Sequence, residues 1–277
     1  MTRQRYFDIH NHSTFSHDAV CAMESLCAAV AEKGLDGIAF TDHGDVQDYK
    51  RESDFDHIRA SVTEARRLGA VFAPDLAVLS GVELGEAVWD PKKAAEFVKA
   101  TDLDVVLGSV HSVRYKDIWE SFSRIDFSGW SLSELDGYMR QYFEDMEETV
   151  WRVDYDVLTH LSNPLKYING KYGRGISLEP YMPRIEQILK CAADKGLALE
   201  INTALKGTAY DVTMPEGEII RLYKSLGGRY LSIGSDAHVE HRGANCLDFA
   251  LRLAKDAGFD RYVYFVNRER QEEPILL

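Results

Sequence analysis

The chain has 277 residues, 45% of them hydrophobic, with 32 Lys and Arg against 45 Asp and Glu for a formal net charge of −13. That balance argues against a nucleic-acid polymer or an anionic membrane as partner, although a metal site can reverse the field locally and admit a small anion. The length suits a barrel, which takes about 250 residues as one unit, so residues 1–277 are expected to form a single domain.

The first predicted element is the most unusual. Residues 8–18 read DIHNHSTFSHD and hold three of the nine histidines. If Phe7 and Ile9 face one side of a strand over 6–12, alternation places Asp8, His10 and His12 on the other, where two imidazoles can reach a single ion. A strand-then-helix pattern follows. Further strands are predicted over 37–43, 77–83, 104–111, 156–160, 197–202 and 230–238, with another candidate at 261–267.

Between them, Leu26, Ala29 and Val30 mark one face of a helix that stops at Gly34. Leu135, Tyr138, Met139 and Tyr142 mark a second. Ile185, Ile188, Leu189 and Ala192 fall at i, i+3, i+4 and i+7 of a third, ended by Gly196. These stripes are core positions. Seven strands alternating with helices, with no linker between them, predict an α/β fold whose parallel sheet closes into a barrel. Cys21, Cys27, Cys191 and Cys246 contain no C-x-x-C pair and read as buried thiols. With no secretory leader or membrane-length apolar run, a reducing cytoplasmic location is expected.

The C-terminal strand ends, read in order, offer His10 and His12, His43, Glu83, His111, His160, then Asp236 and His238. In a parallel barrel those ends form one rim, where active sites are built. His57 reads as part of a solvated helix face, and His17 and His241 as rim-loop residues with closer competitors in Asp18 and His238. With Asp18, the set reaches six imidazoles and three carboxylates, more than one tetrahedral ion can use. Nitrogen and oxygen donors without thiolate suit two or three divalent first-row ions such as Zn, Mn or Fe, with Glu83 central enough to bridge. Such a cluster activates water and clamps phosphoryl oxygens during in-line displacement.

The series His-x-His, Asp18, "FTDH", "GVE", "GSVH", "THL" and "SDAH" resembles the PHP (polymerase and histidinol phosphatase) superfamily from residue 6 to about residue 240. "IAFTDH", "DVLTHLSNPLKYINGKYG", "ALEINT" and "IGSDAH" are similar in particular to its monofunctional histidinol-phosphatase branch. The resemblance implies a distorted, TIM-like (β/α)7 barrel with a trinuclear site at the C-terminal rim. It implies that His10, His12, Glu83 and Asp236 hold one ion, and that Glu83 bridges to a second completed by His111 and His160. Asp18, His43 and His238 would hold the third. The implied activity is a metal-dependent phosphomonoesterase of histidine biosynthesis, acting on L-histidinol phosphate through hydroxide generated on the metals. Glu83, Asp236 and His238 would be catalytic, with His238 or a metal-bound water protonating the leaving group.

Two rim loops carry further signals. Residues 161–178 hold Lys166, Lys171 and Arg174 and no acid, which suits recruitment of a small-molecule phosphate ester. Arg174 could grip phosphate oxygens through paired donors. Lys166, Arg174, Arg114 and Lys206 are the expected substrate contacts. The loop after the fourth strand is long and rich in aromatics, Tyr115, Trp119, Phe122, Phe127 and Trp130, and reads either as a wall against the organic half of a substrate or as packing on the barrel's outside. A phosphodiesterase or nucleotide phosphatase on the same cluster is the first rival reading. A metal-binding regulatory module without turnover is the second, against which the intact ligand set speaks.

Overall fold

The computed structural model describes residues 3–45 and 55–277. Seven parallel strands make one sheet in chain order: β1 (Phe7–Asp8), β2 (Gly37–Phe40), β3 (Ala77–Gly85), β4 (Val105–Ser109), β5 (Val157–Leu158), β6 (Ala198–Asn202) and β7 (Leu231–Gly234). The helices α1 (Met23–Glu32), α2 (Asp56–Phe72), α3 (Pro91–Ala100), α4 (Leu132–Arg152), α5 (Met182–Lys195), α6 (Gly217–Ser225) and α7 (Leu247–Asp256) follow the strands in turn. The chain closes the barrel just past β1. Ile9 N–H donates to the Ile233 carbonyl (3.2 Å), Asp236 N–H to His10 (2.8 Å) and His12 N–H to Ala237 (2.9 Å). The result is the distorted α/β barrel expected from the sequence.

Apart from β3, which runs past the predicted 77–83 and carries Glu83 within it, the regular ladders are shorter than the predicted strands and stop before the candidate ligand positions. Single bridges, Asn11 to Ala237 and His43 to Glu83, carry the pairing to the rim. The chain bends out of register there because polar side chains must turn inward toward one point. The helical stripes pack as expected except at Ala29, which is only half-buried because it lies at the edge of its stripe: Leu26, Val30, Leu135, Tyr138, Met139, Tyr142, Ile185, Ile188, Leu189 and Ala192 are all fully buried. A capping box of Ser131 and Glu134 starts α4, and left-handed Gly196 (φ +70°) ends α5.

The late segment does not join the barrel. Strand β8 (Arg261–Val266) pairs antiparallel with β9 (Glu269–Pro274), and this hairpin covers the N-terminal end. Tyr264 stacks on Phe7 with ring centroids 3.7 Å apart, and Arg268 donates to the Asp156 carboxylate (3.0 Å) just before β5. The turn at Asn267 and Arg268, both at positive φ, folds the strand back on itself. Cysteines 21, 27 and 191 are buried, whereas Cys246 is exposed, contrary to the sequence expectation, because it sits outside the turn that starts α7. Among the described residues no helix is long and apolar enough to cross a membrane.

Candidate metal centre

Glu83, at the rim end of β3, is 1% exposed and stands among five imidazoles. Its Oε1 lies 2.7 Å from His160 Nε2 and 3.0 Å from His111 Nε2. Its Oε2 lies 3.1 Å from His43 Nδ1, 3.3 Å from His10 Nε2 and 3.4 Å from His12 Nε2. Asp236 Oδ1 approaches His12 Nε2 at 3.3 Å, and Asp18 spans His43 Nε2 (3.4 Å) and His238 Nε2 (3.3 Å). The structure therefore brings all nine expected ligands into one cluster on the C-terminal rim.

A surrounding layer of acceptors fixes the rings. Glu200 Oε1 faces His10 Nδ1 at 2.6 Å, while its Oε2 accepts the His160 backbone N–H at 2.9 Å. Gly234 is required beside it, since a Cβ there would stand 2.5 Å from both Glu200 Oε1 and His10 Cβ. Buried Asp42 accepts the hydroxyls of Ser13 (2.9 Å), Ser16 (2.8 Å) and Ser61 (2.6 Å), which ties the loop after β1 to α2. Having given its hydrogen to Asp42, Ser16 Oγ accepts from the His43 N–H and faces His12 Nδ1, both at 3.1 Å. Asp45 faces His111 Nδ1 at 3.2 Å, and the Asp236 carbonyl faces His238 Nδ1 at 3.0 Å. A ring nitrogen against such an acceptor carries the hydrogen, so His10, His12, His111 and His238 all turn an Nε2 lone pair inward.

This arrangement fits cations. His10 Nε2 and His12 Nε2 are 3.2 Å apart, and His111 Nε2 and His160 Nε2 3.5 Å, distances at which paired lone pairs repel without positive charge between them. Glu83 Oε2 and His43 Nδ1, both buried, have no hydrogen-bond partner of good geometry. Charge regulation points the same way. Burial would raise the Glu83 carboxyl, but His111, His10 and His43 override it and hold it well below the usual carboxylate range. Burial opposes protonation of His10, His43 and His111, yet Glu83, with Glu200, Asp18 and Asp45, holds them well above the ordinary value. His12 goes the other way, to about 3, through burial and the adjoining His238 and His43. The protein alone demands positive charge here, and metal ions supply it without protons.

The expected substrate contacts divide. Lys166 enters a cavity of about 460 Å³ that is also lined by Asp18, His43, Glu83, His111, His160, Asp236 and His238. Arg174 does not line it. Its guanidinium donates to the carbonyls of Phe127, Ser128 and Trp130, clamping one rim loop to another. Arg114 stacks on Trp89, 4.3 Å from the ring centroid, and Lys206 pairs with Asp211 at 2.9 Å over the ring of Phe249. Neither lines the cavity: the first is drawn to indole rings and the second to a carboxylate and a phenyl ring elsewhere. His57 is also corrected: it is half-buried, and its Nε2 faces the His43 carbonyl at 2.8 Å. His17 lines the cavity mouth and His241 does not.

Sequence reasoning missed Glu200, Asp42, Asp45, Ser16 and the cavity-lining Arg124. Glu200 carried a usable signal, a lone charge inside the apolar run "LALEIN". The acids of "TDHGD" had none beyond their closeness to His43.

The profile of the PHP domain family matches residues 8–204, more than half of the chain. The chain belongs to the PHP domain family. The histidinol-phosphatase of Lactococcus lactis subsp. lactis (strain IL1403) is 27% identical over 264 residues, covering 93% of each chain. A protein of Clostridium acetobutylicum named "Probable histidinol-phosphatase" is 29% identical over 266 residues, 95% of this chain and 97% of that one. The crystal structure of histidinol phosphate phosphatase from L. lactis, complexed with zinc, L-histidinol and phosphate, superposes with a TM-score of 0.80 at 24% identity, covering 96% and 99% of the two chains. This PHP chain thus shares the fold of that enzyme over nearly its whole length.

Proposed function

We propose that the chain is a metal-dependent phosphomonoesterase that hydrolyses L-histidinol phosphate to L-histidinol and phosphate. The observation that carries this reading is Glu83, buried among imidazoles that follow β1, β2, β4 and β5, in a cavity that it lines together with Lys166. The names of the L. lactis and C. acetobutylicum relatives, and the ligands of the L. lactis crystal structure, support the choice of substrate.

Two or three divalent ions held by His10, His12, Glu83 and Asp236, by Glu83, His111 and His160, and by Asp18, His43 and His238 would supply Lewis acidity and activate water. The chain's own groups do the rest. Burial works against the Lys166 ammonium, but Tyr167, Asp236, Asp18 and Glu83 more than offset it, so Lys166 stays charged and suits a phosphate dianion. Glu83 gathers histidines that follow four strands around one point, where the phosphoryl group would be drawn. His238 directs its Nδ1 hydrogen at the Asp236 carbonyl, which favours a ligand role over that of proton donor to the leaving group. Asp236 itself holds a left-handed conformation (φ +51°), kept in place by its N–H bond to His10 and by Asn202 Nδ2 at 3.2 Å from its carboxylate.

The deciding experiment measures phosphate release with added Mn or Zn from histidinol phosphate, nucleoside monophosphates and bis-p-nitrophenyl phosphate. The expected result is the highest kcat/KM on histidinol phosphate and loss of activity after chelation. A preference for the diester would overturn this reading in favour of a phosphodiesterase.

A further inference from the structure

The aromatic loop between β4 and α4 is not uniform in the fold. Phe122 and Phe127 are buried against Tyr138, with centroids 5.9 and 5.4 Å away. Tyr115 and Trp130 stack on one another at 6.1 Å and also pack on Tyr138. Trp119 is the exception among these five. It lines the metal cavity, as does the buried Phe122, but remains 52% exposed.

Its position is built. Tyr115 and Ile118 exchange backbone hydrogen bonds at 3.1 and 3.0 Å, closing a tight turn, and Phe122 N–H donates to the carbonyl of the ligand His111 at 3.0 Å. The Glu120 carboxylate accepts the Trp119 backbone N–H at 3.2 Å. The Arg114 guanidinium lies 5.4 Å from one Trp119 ring centroid and 4.3 Å from that of Trp89. Arg114 itself does not line the cavity, whereas the indole it props does. A guanidinium between two indoles holds both rings. An exposed indole propped in this way, lining the same cavity as Glu83, His111 and His160, offers a flat apolar surface to whatever is esterified to the phosphate.

We infer that Trp119 is a specificity-determining residue whose ring stacks on an aromatic ring in the organic half of the substrate, while the phosphate lies at the Glu83 end. The inference rests on the phosphomonoesterase reading, and the imidazole of histidinol is the ring it would select. Offset stacking on such a surface discriminates a flat ring from a short aliphatic chain without charge recognition.

The test compares wild type, Trp119→Ala and Trp119→Phe on histidinol phosphate, phenyl phosphate and ethyl phosphate. The alanine variant should lose about five- to twentyfold in kcat/KM on both aromatic esters and less than about twofold on ethyl phosphate, with the loss mainly in KM. The phenylalanine variant should keep most of the aromatic preference, and metal content should be unchanged in both. Equal losses on all three esters would mean a structural role and overturn the inference, as would no loss on any. If wild type ignores histidinol phosphate, the substrate assignment fails, yet the phenyl-to-ethyl ratio still decides the role of Trp119.

Discussion

Glu200 Oε1 lies 2.6 Å from His10 Nδ1, with both side chains fully buried, and the other carboxylate oxygen holds the His160 backbone at 2.9 Å. One carboxylate on β6 thereby sets the ring of a candidate ligand just after the first strand and the backbone of another after the fifth. Strand β6 supplies no ligand of its own. It supplies the group that aims the others.

Replacing Glu200 by Gln keeps the volume but removes the charge that holds the Nδ1 hydrogen of His10. Metal affinity should fall about ten- to a hundredfold, the usual effect of removing an outer carboxylate behind a ligating histidine. Competition with a chelator, read by elemental analysis, checks this. KM for substrate should change little in fully metal-loaded protein. Unchanged retention of metal would show that the 2.6 Å contact has no role in binding.

Glu83→Ala should be the most damaging single ligand change. The carboxylate faces histidines on both oxygens, so on the bridging proposal its loss would remove a donor from more than one ion, and it leaves buried imidazoles facing each other. Expected outcomes are phosphatase activity at background and a fall of more than one ion per chain. A variant that keeps its full complement of metal would remove the bridging assignment.

Lys166 and Arg174 should now part company. Both come from the acid-free loop, but Lys166 enters the cavity and Arg174 bonds three carbonyls of the neighbouring loop. Lys166→Ala should lower kcat/KM by about ten- to a hundredfold with the melting temperature nearly unchanged, the loss of one charge-assisted contact. Arg174→Ala should instead destabilise the fold by about 1.5–3 kcal/mol with little change in KM. Urea unfolding and steady-state kinetics on the same samples separate the two. The reverse pattern would restore Arg174 as a substrate contact.

Much of this was legible in the sequence because strand periodicity and ligand chemistry coincide. His10 and His12 sit two apart just beyond the first strand, and five of the six later strands end on or lead into a metal-competent side chain, so the barrel, its rim and the nine clustered residues could all be read together. What was not legible depends on contacts between distant loops. The charge of Arg174 was visible, but the carbonyls of residues 127, 128 and 130 that absorb it lie some 45 positions away. The same holds for Asp42, whose role exists only because Ser13, Ser16 and Ser61 converge on it. The closing hairpin was half visible: β8 has strand composition, but nothing local says that it pairs with β9 rather than with the barrel.

That hairpin gives a last prediction at the end of the barrel opposite the metals. The Tyr262 hydroxyl, fully buried, accepts the Phe7 N–H at 3.1 Å and donates to the Arg5 carbonyl at 2.9 Å. It thus holds the start of β1, the strand that leads into His10 and His12. Tyr262→Phe keeps the ring and removes both bonds, leaving a buried donor without its acceptor, which costs about 1–3 kcal/mol. For a chain of this size that is a fall of about 2–10 °C in Tm. Because the ring still packs and the ligands are held by Glu200 and Ser16 at the other end, metal content and kcat at 25 °C should match wild type. Differential scanning calorimetry and elemental analysis test the pair of claims together. A normal Tm would show that the hydroxyl adds nothing to stability. Loss of metal at normal Tm would mean that the hairpin tunes the cluster through β1 rather than merely closing the barrel.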